Sequence, residues 1–252
     1  MALLRAAIRN AFERAGYWFA PRQVLPFGID YLLDIQRLAA MHGLTITTAF
    51  DVGAHIGQTA KDFLNAFPAA QVYSFEPHPH AFHFLEAMTS PRLHAQNIAL
   101  SNSRRTADFY VHSEPTQAAG IPSTGNSLVA GRRRGLGDRP GEYGAKIEVQ
   151  CRTVDDFCEE IGIPRVDLLK IDVERHEVEV LQGAQKTLGS ASFVFLEFET
   201  VLPINGVVGG ALAPAAEILQ PAGFRFVASY PVLMTARPLY TVFNALYFRA
   251  PN

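Results

Sequence analysis

Three stretches decide the fold: Phe50-Asp51-Val52-Gly53-Ala54-His55-Ile56-Gly57, then Ser74-Phe75-Glu76-Pro77, then Asp167-Leu168-Leu169-Lys170-Ile171-Asp172-Val173-Glu174. In the first, an apolar run enters an acidic residue and a glycine-bounded turn, and residues 58–66 have helical spacing. The pattern predicts a strand, a tight loop and a helix. Glycine has no Cβ, so Gly53 and Gly57 let backbone approach a ligand and let strand and helix pack closely. Glu76 stands 25 residues beyond Asp51, at the end of a second apolar run, Val72 to Phe75. A carboxylate there can accept hydrogen bonds from both hydroxyls of a ribose.

What the loop lacks narrows the ligand. A dinucleotide fingerprint needs G-x-G-x-x-G, but His55 and Gln58 occupy the places of the second and third glycines. A phosphate-binding loop needs Gly-Lys-Ser/Thr at its close, and Gly57-Gln58-Thr59 has no lysine there. A ligand with a ribose but no phosphates, such as S-adenosylmethionine, suits these residues best.

With 252 residues, 48% of them hydrophobic, the chain can bury one substantial core. A net charge of −2 gives no general pull toward nucleic acid or anionic membrane, and no nucleic-acid partner is expected. Cys151 and Cys158 match neither a zinc site nor a disulfide scaffold and read as reduced thiols. No apolar run is long enough to span a membrane, and the start of the chain lacks the apolar core of a signal peptide. The expectation is a cytoplasmic protein.

Leu3, Leu4, Ala7, Ile8, Ala11, Phe12 and Ala15 recur at helical spacing with Arg5, Arg9 and Arg14 off the stripe. That helix suits packing on the domain or on a second copy, or contact with a membrane surface. A second helix, Tyr31 to His42, closes on Gly43, so residues 1–45 read as a helical extension preceding a domain over 46–252. From Thr45 strands and helices alternate, which argues for a mainly parallel sheet. Strands are expected near 46–52, 71–76, 93–99, 107–112, 146–152, 166–171 and 192–198. Helices are expected near 58–66, 79–88, 154–161 and 177–188. The tail offers a helix near 213–220 and a closing antiparallel pair near 224–229 and 241–249. Residues 113–144 form a long glycine-rich loop.

In order and spacing these motifs resemble the FkbM family of S-adenosylmethionine-dependent methyltransferases. Ile98-Ala99-Leu100-Ser101, Val180-Leu181-Gln182-Gly183-Ala184, Leu196-Glu197 and Asn244-Ala245-Leu246-Tyr247 extend the match to about four-fifths of the chain. The resemblance implies an α/β, Rossmann-like seven-stranded class I methyltransferase sheet with an antiparallel strand near the C-terminus. It also implies O-methylation of a sugar, glycolipid or polyketide hydroxyl. Asp51, Gly53, Ala54 and Gly57 would line the cofactor's methionine and ribose. Glu76 with Pro77 would hold the ribose, and Asn97 with Ile98 would lie near the adenine. Two residues depart from the family pattern: Arg175 replaces a glycine, and His55 stands where asparagine is commoner. If position 175 requires positive φ, arginine costs roughly 1 kcal/mol or more.

Methyl transfer from a sulfonium requires an aligned nucleophile, exclusion of water and a base for the hydroxyl proton. Asp172 is the first candidate base, with His176 second and Glu174 third; an electrostatic role at a helix start is equally open for Glu174. Ser127, Arg175 and Glu197 are candidates for contact with the acceptor, and Arg132-Arg133-Arg134 in the long loop could close on an anionic group. His78, His80 and His83 suit a solvated helix start better than a metal site. The acidic residues give no defensible ligand set, and metal dependence stays open. Two competing functions remain: a nicotinamide-dependent oxidoreductase, disfavoured by the missing glycines, and a non-catalytic scaffold that keeps the fold.

Overall fold

The computed structural model describes residue 14 and residues 24–112, 125–129, 143–201, 212–234 and 240–251. Apart from residue 14, the basic amphipathic helix expected over residues 3–15 lies outside the described residues, as does the Arg132–Arg134 run.

Strands β1 (Thr48–Val52), β2 (Gln71–Phe75), β3 (Leu93–Gln96), β7 (Leu168–Ile171), β8 (Phe193–Val201), β9 (Arg225–Met234) and β10 (Tyr240–Phe248) form one sheet. Its order is β3-β2-β1-β7-β8-β10-β9. The first five strands in that order run parallel, and β10 runs antiparallel to both β8 and β9. This is the expected seven-stranded sheet with one reversed strand.

Successive strand residues point to opposite faces, and both faces are covered, so the parallel strands are apolar almost throughout. Ala49, Val72, Leu168 and Phe193 pack with Ile35 of helix α1 (Tyr31–Met41), Phe63 of α2 (Gln58–Ala66) and Leu85 of α3 (Pro79–Glu86). Phe50, Phe75, Leu169 and Val194 pack on the other face with Phe157 of α4 (Val154–Ile161), Val180 and Leu181 of α5 (Glu177–Gln182), Leu188 of α6 (Gln185–Leu188) and Leu219 of α7 (Leu212–Leu219). Helix α1 therefore shares its core with β1 across the boundary drawn at residue 45. Its buried Asp34 accepts from the Tyr230 hydroxyl at 2.7 Å and from the Gly28 amide at 2.8 Å, which ties the helix to β9.

Two expectations differ from the structure in a way that shapes the site. The strand expected over 93–99 divides at Asn97, whose side-chain amide donates to the carbonyls of Glu76 (2.8 Å) and Pro77 (3.1 Å) and turns the chain out of the sheet. Ala99–Leu100 then becomes β4 of a separate sheet with β5 (Arg105–His112) and β6 (Tyr143–Arg152), in the order β4-β6-β5. The helix expected over 177–188 breaks at Gly183. A Cβ there would fall 2.1 Å from the Ser101 carbonyl oxygen, so glycine lets the break press against the strand end. After the break, the Asp155 carboxylate accepts from the amides of Lys186 (2.8 Å) and Thr187 (2.9 Å) and so restarts the helix as α6.

Candidate active site

The strand order reverses between β1 and β7, and in such sheets ligands bind beyond the carboxyl ends of the strands at that switch point. A cavity of about 520 Å³ lies there, bounded by Gly53, Ala54, His55, Glu76, Asp172 and Glu197 among others. The small sheet supplies another wall through Leu100 and Phe109.

The β1–α2 loop hangs from β2, since the amides of Gly53 and Ala54 both donate to the Phe75 carbonyl at 3.0 Å. Gly53 has φ +78°, and a Cβ there would lie 1.8 Å from the Asp172 carbonyl oxygen. This glycine is needed for the close approach of the loop after β1 to the chain leaving β7. Glu76 is buried, with one carboxylate oxygen accepting from the His55 amide and the other from the His78 amide, each at 2.8 Å. Burial pushes this carboxyl up to about 7, against the pull of those two amides.

Lys170, buried in the middle of β7, has no assigned part in the sequence reading. Its ammonium donates to the Gly53 carbonyl at 3.1 Å and lies 3.0 Å from Asp51 and 3.4 Å from Asp172. Burial alone pushes Lys170 down, but the two carboxylates outweigh it and hold the ammonium above its ordinary range. A lone charge in an apolar strand between two acidic residues was the signal available, because buried lysines are paired.

Beyond β7 the chain turns through Glu174 (φ +53°) and Arg175 (φ +76°). Position 175 does demand the left-handed conformation that glycine adopts without strain. The buried Glu177 carboxylate accepts from the amides of Val173 (3.3 Å) and Arg175 (3.1 Å), and Ser127 donates its hydroxyl to the Glu174 carbonyl at 2.6 Å. Neither brace was read from the sequence.

Among the candidate cofactor residues, Gly53, Ala54, Glu76, Pro77 and Ile98 line the cavity. Three others do not line it. Asp51 is fully buried against Lys170. Gly57 caps α2 at φ +91° and faces Met88 and Leu85 rather than the cavity. Asn97 is engaged by the two carbonyls described above.

Asp172, Glu174, His176 and Glu197 all line the cavity. The Asp172 side chain is 35% exposed, and the ring of His176 is engaged at Nε2. Its Nε2 lies 2.9 Å from the Ser101 hydroxyl and its Nδ1 lies 3.6 Å from Glu179. Burial pushes His176 down, against the pull of Glu179. Ser127 and Arg175 do not line the cavity: the Ser127 hydroxyl is buried on Glu174, and Arg175 sits at the turn. His78 caps α3 by accepting from the Ala81 amide at 3.3 Å, while His80 and His83 are exposed. Among the described residues no group of three His, Cys, Asp or Glu side chains is placed to hold a metal ion.

The family described as the methyltransferase FkbM domain matches residues 51–226. The 2-O-methyltransferase NoeI of Sinorhizobium fredii is 28% identical over 182 residues, covering 67% of this chain and 72% of that protein. The hexuronic acid methyltransferase AglP of Haloferax volcanii is 27% identical over 164 residues, 65% of this chain and 61% of that protein. The 31-O-demethyl-FK506 methyltransferase FkbM of Streptomyces tacrolimicus is 26% identical over 230 residues, 82% and 85% of the two chains.

Proposed function

The chain belongs to the FkbM methyltransferase family, and from that membership we propose that it is an S-adenosylmethionine-dependent O-methyltransferase whose acceptor is a hydroxyl on a sugar, glycolipid or polyketide-type body. Of the functions open at the sequence level, the family match favours this one over an oxidoreductase or a scaffold. The three relatives carry names that specify a 2-O-methyltransferase, a hexuronic acid methyltransferase and a 31-O-demethyl-FK506 methyltransferase; two of these names point to O-methylation and one to a sugar acid as acceptor, which supports the reading.

The observation that carries the proposal is that Glu76, Gly53 and Asp172 line one cavity at the switch point. Each Glu76 oxygen accepts one backbone N–H and keeps a second lone pair for a ribose hydroxyl. The cavity volume falls in the range of about 300–1,000 Å³ usual for small-molecule sites. Acidic residues among its lining suit a cofactor that, when bound, supplies a methyl group on a positively charged sulfonium.

As the acceptor oxygen gains the methyl group it loses its proton, and Asp172 is the group proposed to take it. Its carboxylate, though 3.4 Å from the Lys170 ammonium, keeps 35% of its side chain exposed at the cavity, whereas His176 is buried with its Nε2 on the Ser101 hydroxyl. Glu197 and the apolar side chains Phe109, Leu128 and Val242 are proposed to hold the acceptor body.

The test is release of S-adenosylhomocysteine from S-adenosylmethionine in the presence of sugars, glycolipids and hydroxylated polyketides. Acceptor-dependent release should fall by roughly 100-fold or more in Asp172→Asn, with cofactor affinity retained. Release that no acceptor class stimulates, or a variant with full turnover, would reject the assignment.

A further inference from the structure

We infer that Lys170 is a positioning residue that ties the cofactor loop to the cavity carboxylate, an inference that rests on the functional reading above. An ammonium has three N–H donors and no acceptor. Here three oxygens surround it within 3.4 Å: the Gly53 carbonyl, Asp51 and Asp172. They belong to three different parts of the site. Asp51 is inside β1, Gly53 is in the loop that floors the cavity, and Asp172 ends β7 with its carboxylate toward the opening.

Neutralising Asp51 is only one of these contacts, and it needs no link to the cavity. The other two reach the site directly. Gly53 also packs its backbone against the Asp172 carbonyl, too closely for any Cβ, so loop and strand end move as one unit. Lys170 fixes the side-chain part of that unit. It holds the Gly53 carbonyl on the cofactor side and the Asp172 carboxylate on the acceptor side. A purely structural lysine would be replaceable wherever Asp51 is neutralised too. A positioning lysine would not.

That contrast defines the experiment. Lys170→Met leaves Asp51 buried without its partner and should be strongly destabilised, as removal of one member of a buried pair is. Combining it with Asp51→Asn removes both charges and should recover most of the lost melting temperature. Titration calorimetry with S-adenosylmethionine then decides. The double variant should bind at least about tenfold more weakly than wild type, because the Gly53 carbonyl has lost its donor.

Recovery of both melting temperature and affinity would show that Lys170 only neutralises Asp51 and would overturn the inference. If the double variant does not fold, Lys170→Arg decides instead. Its planar fork keeps the charge but cannot converge on three oxygens as an ammonium does. Affinity should fall about threefold or more, and wild-type affinity would overturn the inference. Wild-type protein that binds no S-adenosylmethionine would remove the functional reading itself, and this inference with it.

Discussion

The β1–α2 loop and the β7–α5 loop face each other across one cavity and solve the same steric problem in different ways. The first takes its sharp turns at Gly53 and Gly57, with φ of +78° and +91°, and adds His55 at +50°. The second takes them at Glu174 and Arg175, with φ of +53° and +76° and no glycine. Left-handed conformations cost non-glycine residues of order 1 kcal/mol or more each. That cost is offset locally by two braces, the Glu177 carboxylate on the loop amides and the Ser127 hydroxyl on the Glu174 carbonyl. The geometry of the β1–α2 loop therefore resides in backbone, while that of the β7–α5 loop resides in side chains that can be exchanged singly.

The largest effect should come from breaking the glycine side. In Gly53→Ala the new Cβ meets a backbone carbonyl, which a rotamer change cannot relieve. Loss of roughly 3 kcal/mol or more is expected in denaturant unfolding, together with loss of cofactor binding. An alanine variant of wild-type stability would show that the two loops are not locked together.

A smaller, pH-dependent effect should appear at the brace. Burial pushes the Glu177 carboxyl from its ordinary 4.5 up to about 8. The folded state thus holds this proton more tightly than the unfolded chain, and stability from this group is full below about 4.5 and declines as pH rises to about 8. Glu177→Gln keeps an acceptor for the amides and removes the buried charge. Its melting temperature should match wild type at low pH and exceed it at pH above 8. Glu177→Ala, which leaves the amides of Val173 and Arg175 without their acceptor, should cost about 1–3 kcal/mol. A Gln variant less stable than wild type at high pH would mean that the carboxylate itself is required.

The smallest effect is expected at Arg175→Gly. Relief of strain is offset by the greater freedom of glycine in the unfolded chain, so stability should rise by no more than about 1 kcal/mol. A substantial loss would indicate that the arginine side chain contributes more than the turn suggests.

Legibility in the sequence follows the same division. The β1 loop and Glu76 are readable because a glycine-bounded turn and an acid at the ends of successive apolar runs together suit a ribose-bearing ligand and little else. The β7–α5 loop is harder, because its bracing contact joins residues far apart in the chain. Ser127 reaches Glu174 across 47 residues. The small sheet is hidden by a strand that divides at one asparagine, and the helix break by one glycine whose partner lies in another element. Lys170 carries a signal that composition of the strand alone could have raised, since its neighbours Leu168, Leu169 and Ile171 are apolar and fully buried. Asp51 shows the reverse: its sequence position beside the glycine-bounded turn points to the cavity, but its side chain is fully buried against Lys170.

Calorimetric titration with S-adenosylmethionine, in wild type and Glu76→Ala across pH, tests the central claim most directly. Glu76 stands near 7, so affinity should be full above that pH and decline below it as the carboxylate is protonated. The alanine variant should bind about tenfold or more weakly, with that pH dependence gone. Wild-type protein that does not bind, or a variant with unchanged affinity and pH profile, would contradict the cofactor site proposed here.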